Sequence, residues 1–134
     1  MYQKIKKDFK QVPELSLQEV DLLKNNVLLI DVREDKERKV SMIPGAISKE
    51  DFEKNKETYT GKKLAVYCTI GYRSAKYVKK LKKRGIEAFN LEGSILGWIH
   101  EGKPVVDRNG EEVKRVHVYG RSWNHLPKGF KAEW

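Results

Sequence analysis

The sequence predicts an α/β fold in which a mostly parallel central sheet is flanked by helices. Two short segments, 27–30 and 64–68, are apolar without interruption, which is typical of strands that are buried on both faces of a sheet. Other segments carry apolar residues at three- and four-residue spacing, which indicates amphipathic helices. Strands that alternate with helices are typical of parallel α/β sheets.

The N-terminal part of the chain predicts a helix followed by a strand. Ser16 and Glu19 have the spacing of a capping box, and apolar residues follow at helical spacing until Asn25 and Asn26 end the run. The next segment, 27–32 (VLLIDV), is too short for a helix and predicts the first buried strand.

The segment between the two apolar runs predicts smaller elements. Residues 43–47 (IPGAI) are typical of a turn that leads into a short edge strand. Ser48, with Asp51 three residues later, predicts the cap of a short helix that runs toward Thr58.

The second buried strand, 64–68, ends on Cys68. Ser74 is then expected to open a helix through Arg84, with Gly85 as its C-terminal cap. These elements place the cysteine between the end of a strand and the start of a helix.

Further elements follow toward the C-terminus. Residues 88–91 predict a short strand, and Ser94 predicts the cap of a helix. Residues 105–106 and 116–119 flank an Asn-Gly turn signal at 109–110 and predict a hairpin. Several apolar and aromatic residues after this point are expected to fold back onto the domain as a strap, or to form a subunit interface: Tyr119, Trp123, Leu126, Pro127, Phe130 and Trp134.

Size and composition set limits on the class of protein. With 134 residues the chain predicts a single domain over 1–134, and its formal charge of +9 favours anionic substrates or acidic partners. It has one cysteine, so an intrachain disulfide is excluded and a reducing cytoplasm is the expected location. No segment predicts a membrane span or a signal peptide.

Residues 68–74 (CTIGYRS) are the most informative stretch for function. Ligands of parallel α/β sheets bind beyond the carboxyl ends of the strands, where Cys68 lies. Backbone N–H groups in a tight loop and the positive end of a helix bind anions, and Gly71 lets the loop curl. With Arg73 nearby, we predict that Cys68 is a thiolate at neutral pH. The alternative is that Cys68 is a small buried apolar residue, but Gly71, Arg73 and Ser74 favour anion capture.

A set of short motifs resembles the rhodanese homology domain, motif by motif and in order. The motifs are 29–34 (LIDVRE), 43–47 (IPGAI), 67–68 (YC), 71–75 (GYRSA), 91–93 (LEG) and 97–98 (GW). The resemblance covers about residues 15–105, which leaves about 106–134 as a C-terminal extension. It implies the rhodanese α/β fold and an active-site loop from Cys68 to Arg73, in which Cys68 carries sulfur as a persulfide.

The resemblance implies a sulfurtransferase of the thiosulfate type. We expect no cofactor. Sulfane sulfur would pass from a small anionic donor such as thiosulfate to cyanide or a thiol, and the acceptor must be external because Cys68 is the single cysteine. Asp31 and Arg33 are expected to hold loops together. The expected substrate-binding residues are those of the loop: Thr69, Ile70, Gly71, Tyr72, Arg73 and Ser74.

Two other functions stay open at this point. Rhodanese-like domains share their anion cradle with cysteine phosphatases and arsenate reductases, but cysteine phosphatases have five residues between cysteine and arginine, whereas four residues lie between Cys68 and Arg73. A non-catalytic binding module is the other alternative. Such modules typically lack the cysteine, so the presence of both residues favours an enzyme.

Basic residues and histidines give weaker signals. Six basic residues crowd the helix after the loop: Lys76, Lys79, Lys80, Lys82, Lys83 and Arg84. They predict either a solvated face or a docking patch for an acidic acceptor protein or an RNA, and the lack of interleaved aromatic residues disfavours nucleic acid. His100, His117 and His125 fit no ligand spacing, so we expect no metal site.

Overall fold

The computed structural model describes residues 12–118 and 126–134. The strands in this part of the chain are β1 (Glu14–Leu15), β2 (Val27–Asp31), β3 (Ile47–Ser48), β4 (Lys63–Tyr67), β5 (Phe89–Leu91), β6 (Val105–Val106), β7 (Glu112–Val113), β8 (Arg115–His117) and β9 (Lys131–Glu133). The helices are α1 (Leu17–Leu23), α2 (Asp35–Val40), α3 (Lys49–Lys54), α4 (Tyr72–Lys83) and α5 (Ser94–His100).

The centre of the molecule is a five-stranded sheet in the order β1-β5-β4-β2-β3. All its strand pairs are parallel. β4 is therefore the middle strand, and β3 is the edge strand that the sequence predicts. The α/β fold with a parallel central sheet is confirmed. β1 was not predicted, because a strand of two residues leaves no periodic pattern.

The two faces of the sheet each carry a hydrophobic core, because alternate side chains of a strand point to opposite faces. On one face Ala65 and Tyr67 of β4 join a cluster that includes residues of α1 and α5. On the other face Leu64 and Val66 join a cluster that includes residues of α3 and α4. The middle strand is thus buried on both sides.

Local signals account for the ends of several helices. The N–H of Glu19 donates to Ser16 Oγ at 3.1 Å and closes the predicted capping box of α1. Ser48 caps α3 as predicted, but that helix ends at Lys54 rather than near Thr58. α2 was not predicted, since its six residues include one apolar side chain, Val40.

Within the described residues, none of the helices has the length and apolar character that crossing a bilayer requires.

The C-terminal hairpin differs from the prediction. The turn at 109–110 is present, but the partner of β6 is β7, not the segment 116–119. The side chain of Asp107 accepts hydrogen bonds from the N–H groups of Asn109 and Glu111, so the chain reverses at once and the nearest residues pair. β8 instead pairs with β9 in parallel.

The segments around β8 and β9 cover one face of the core. Val116 and Val118 are fully buried, and Leu126 and Phe130 pack against the same cluster. Trp134 is 63% exposed, so it does not take part in the predicted strap. Two other residues of that strap, Tyr119 and Trp123, lie outside the described residues, as does His125.

Candidate active site

Cys68 lies directly after β4, at the carboxyl end of the middle strand. The residue is 1% exposed. The backbone N–H of Gly71 donates to Cys68 Sγ at 3.1 Å. Gly71 has a φ of 116°, in the left-handed region that favours glycine, and this conformation turns its N–H back toward the sulfur. The predicted curl of the loop around the cysteine is present.

The helix after the loop begins earlier than predicted. α4 starts at Tyr72 with Gly71 at its N-cap position, so the expectation that Ser74 caps the helix is wrong. The turn at Gly71 lets the helix start at once, because the N–H of Ala75 already bonds the carbonyl of Gly71 at 3.1 Å. Ser74 lies in the first turn of α4 and is fully buried, with its hydroxyl 3.4 Å from Cys68 Sγ.

Asn90 of β5 holds this arrangement in place. Its Nδ2 donates to the carbonyl of Gly71 at 3.2 Å, and its Oδ1 accepts from the Ser74 hydroxyl at 2.6 Å. Because the hydroxyl hydrogen of Ser74 points to Asn90, Ser74 contacts Cys68 Sγ through its oxygen and holds the side chain of the cysteine in place by packing. Asn90 was not among the predicted site residues. The available signal was a buried amide in an otherwise apolar strand, which requires hydrogen-bond partners.

The start of α5 forms a second support for the cysteine loop. Ser94 is the first residue of this helix rather than its predicted cap, a position taken by Gly93, and its hydroxyl accepts from the N–H of Cys68 at 3.2 Å. The N–H groups of Ile95 and Leu96 donate to the carbonyls of Cys68 and Thr69 at 3.1 and 3.2 Å. The first N–H groups of a helix have no partner within it. Here they fix the backbone of the loop.

Arg73 is engaged by a buried carboxylate. Its guanidinium donates to both oxygens of Glu37, at 2.8 and 3.0 Å, and to the hydroxyl of Thr69 at 3.0 Å. Glu37 is fully buried on α2 and was not among the predicted site residues. The bidentate pair therefore compensates the charge of Arg73 and links α2 to the loop.

His117 lies next to this ion pair. Its Nδ1 is 3.8 Å from Glu37 Oε1. Burial lowers the pKa of His117, and the nearby Glu37 opposes that shift in part. His100 is exposed on α5. Among the described residues, no group of histidine, cysteine and carboxylate side chains could hold a metal ion.

The remaining predicted residues of the loop differ in how far they are buried. Thr69 is buried, Ile70 is partly buried, and Tyr72 is 47% exposed. Asp31 and Arg33 are both buried, and the Arg33 guanidinium donates to the Asp31 carboxylate and to the carbonyl of Ser41 at 2.7 Å. These two residues join β2 to the loop after α2, as predicted.

The chain also resembles known proteins in sequence. Residues 16–101 match the family model described as a rhodanese-like domain. YtwF of Bacillus subtilis, a candidate sulfurtransferase, is 35% identical over 100 residues, which cover 72% of this chain and 97% of YtwF. A tRNA uridine(34) hydroxylase of Ruegeria pomeroyi is 37% identical over 92 residues, or 60% of this chain, and the match spans 31% of the hydroxylase.

A solved structure supports the same relationship. The rhodanese-related protein of Thermoplasma volcanium superposes with a TM-score of 0.61 and 30% sequence identity. The superposition covers 70% of this chain and 97% of that protein.

Proposed function

The chain belongs to the rhodanese-like domain family, and from that premise we propose that it is a sulfurtransferase that carries sulfane sulfur as a persulfide on Cys68. The observation that carries the proposal is the setting of the sulfur. Cys68 Sγ lies at the carboxyl end of the middle strand, accepts from the N–H of Gly71 and faces the first turn of α4. N–H groups at this position suit the negative charge that Sγ carries when it attacks the donor and again when the acceptor removes the outer sulfur.

The relatives support sulfur transfer in general. YtwF is a candidate sulfurtransferase, and the match covers nearly the whole length of YtwF. The hydroxylase match spans about a third of that enzyme, so its activity is a property of a longer protein. The proposal of a small anionic donor rests on the backbone N–H groups and the helix start near Cys68 Sγ.

The proposed reaction has two displacements. The Cys68 thiolate attacks the outer sulfur of a donor such as thiosulfate, the sulfur–sulfur bond of the donor breaks, and sulfite leaves with its electron pair. An acceptor, cyanide or a thiolate, then attacks the outer sulfur of the persulfide, and the bonding pair returns to Cys68 Sγ. Because the chain has one cysteine, the acceptor comes from another molecule.

The anionic donor is bound mainly by backbone N–H groups in this proposal. Arg73 already donates to Glu37 and Thr69, so its first role is to hold the loop rather than to bind the donor. The N–H groups around Gly71 and the start of α4 provide the positive field.

Phosphate chemistry is less well supported than sulfur transfer. A cysteine phosphatase requires a general acid to protonate the leaving oxygen. Asp31 does not suit that role, because it is fully buried and both its carboxylate oxygens accept hydrogen bonds from Arg33. The short loop also favours a single sulfur atom over a tetrahedral group.

Mass spectrometry of the intact protein tests the proposal. We expect thiosulfate to add the mass of one sulfur atom, and cyanide to remove it with release of thiocyanate. Cys68→Ser should gain no sulfur and show no turnover, because an alcohol cannot form a persulfide. Undiminished turnover in Cys68→Ser would contradict the proposal, as would Cys68-dependent hydrolysis of an aryl phosphate without any persulfide.

A further inference from the structure

Exposed lysines form a continuous basic face on α4. We call Lys76, Lys80, Lys82 and Lys83 the α4 basic face. Lys79 is also exposed on this helix, but it already interacts with another group and is not counted in the set. Lys76, Lys80 and Lys83 follow one another at four and three residues, so they lie along one side of the helix. The opposite side is apolar and packs on the sheet through Ala75, Val78 and Leu81.

The charges of this face are not compensated within the described part of the chain. None of its four ammonium groups takes part in an ion pair with residues 12–118 or 126–134. Elsewhere on the surface, basic side chains do have acidic partners: Arg84 pairs with Glu53, and Lys103 pairs with Asp21. A cluster of like charges on one helix repels itself, so an acidic partner would be bound favourably.

The basic face begins at the cysteine loop. Tyr72, the first residue of α4, forms the exposed rim of that loop, and Lys76 Nζ lies 5.6 Å from the centre of its ring. Lys80 and Lys83 continue away from the rim at about 1.5 Å per residue along the helix. A segment bound along this face would therefore reach the loop with one end.

We propose that the α4 basic face docks an acidic protein segment that presents the acceptor thiol to the persulfide on Cys68. The inference rests on the proposed function. Transfer requires a thiol from another molecule, because Cys68 is the single cysteine. Cys68 is 1% exposed and the outer sulfur of a persulfide lies about 2 Å beyond Sγ, so a flat surface cannot reach it. A protruding loop or tail can.

The chemistry of the face fits a protein better than a nucleic acid. Proteins that bind single strands combine basic grooves with several aromatic residues on which bases stack. Tyr72 is the one exposed aromatic residue of α4, and Lys76 already lies over its ring. The carboxylates of an acidic segment can bind to this face through ion pairs with the ammonium groups and do not need aromatic residues.

Synthetic peptides with one central cysteine provide the probe. The cysteine is flanked by glutamates in one peptide, by lysines in a second and by serines in a third. The protein is first loaded with thiosulfate and freed of excess donor, and transfer to each peptide is followed by mass spectrometry. Each rate is divided by the rate of the same peptide with a small disulfide, since flanking charges alter the reactivity of the thiol. We expect the glutamate peptide to react about tenfold faster than the lysine peptide at low salt, with the preference falling as salt is added.

Charge reversal on the protein gives the decisive comparison. Lys80→Glu/Lys83→Glu should invert the peptide preference, while transfer to cyanide stays at the parent's rate. The matched control, Lys24→Glu/Lys128→Glu, makes the same change in net charge at two exposed lysines outside α4 and should keep the preference. Lys24 follows α1, which packs on the opposite face of the sheet from α4.

The outcomes separate the inference from the proposed function. Equal corrected rates for the glutamate and lysine peptides, with normal cyanide turnover, would overturn the docking surface alone. An absence of persulfide in the parent would overturn the proposed function. If a short single-stranded RNA binds the parent more tightly than the glutamate peptide does, and Lys80→Glu/Lys83→Glu abolishes that binding, the partner is a nucleic acid and the inference is wrong.

Discussion

Glu37 contributes to the geometry of the loop through its ion pair with Arg73. It is a fully buried carboxylate, whereas its partner Arg73 keeps 32% of its side chain exposed. If either member of such a pair is removed, the other loses its charge partner. This loss destabilises a buried carboxylate more than it destabilises a partly exposed guanidinium. The pair also restrains Thr69, so a change at Glu37 reaches the residue that follows Cys68.

Glu37→Gln should therefore reduce both stability and sulfur transfer. The amide keeps the shape of the side chain but removes the charge that compensates Arg73, and we expect a loss of about 2 kcal/mol in the free energy of unfolding, since Arg73 is partly solvated. Urea unfolding and the rate of sulfur loading measure the two effects. Glu50→Gln, at an exposed carboxylate, should cost less than about 1 kcal/mol. If Glu37→Gln and Glu50→Gln lose the same free energy of unfolding, the buried pair stabilises the fold no more than an exposed carboxylate does.

At the scale of elements, local patterns predicted most of the helices and strands that surround the site. The capping box of α1 and the apolar run of β4 depend on neighbouring residues, so the sequence reveals them directly. The contacts that position Cys68 are not local. Ser94 and Asn90 bond residues 26 and 16 positions away, and Glu37 bonds Arg73 across 36 positions. Such pairs become visible only once the sheet brings the elements together.

The link between α3 and α4 is another contact of this kind. Both carboxylate oxygens of Glu53 accept from the Arg84 guanidinium at 2.9 Å, and the hydroxyl of Tyr77 also donates to this carboxylate. These hydrogen bonds, with that from Arg84 the largest influence, lower the pKa of Glu53 to about 2. The ionised form of Glu53 is thus preferred in the folded state.

The depressed pKa of Glu53 predicts how stability changes in acid. Its stabilising effect is complete above the ordinary value of 4.5 and is lost as the pH falls toward about 2, because the unfolded chain takes up the proton first. Glu53→Gln should be less stable than the parent at neutral pH and should lose less stability in that window. Urea unfolding at a series of pH values measures the slope. The control, Glu57→Gln, retains Glu53 and should show the same pH dependence of stability as the parent. If stability falls equally with pH in the parent and in Glu53→Gln, protonation of Glu53 does not contribute to the loss of stability in acid.

At the scale of the whole molecule, the core extends beyond the part that matches the family model. The match ends at residue 101, yet Val105, Val116 and Val118 are fully buried in the same cluster as Tyr67 of the middle strand. β8 also brings His117 to within 3.8 Å of Glu37. The C-terminal segments therefore share a core with β4, which Cys68 directly follows, and a change that destabilises these segments should also destabilise the site.

Val116→Ala tests whether the molecule unfolds as one unit. The substitution deletes two methyl groups at a fully buried position, which should cost about 2 kcal/mol. Urea unfolding is followed by circular dichroism and, separately, by labelling of Cys68, whose burial makes it a reporter of the site. In a shared core both midpoints move to lower urea by the same amount. Val113→Ala, at a partly buried position on β7, should move both midpoints less. If Val116→Ala leaves the labelling midpoint of Cys68 unchanged while part of the dichroism signal is lost early, the C-terminal segments unfold on their own and the core is not shared.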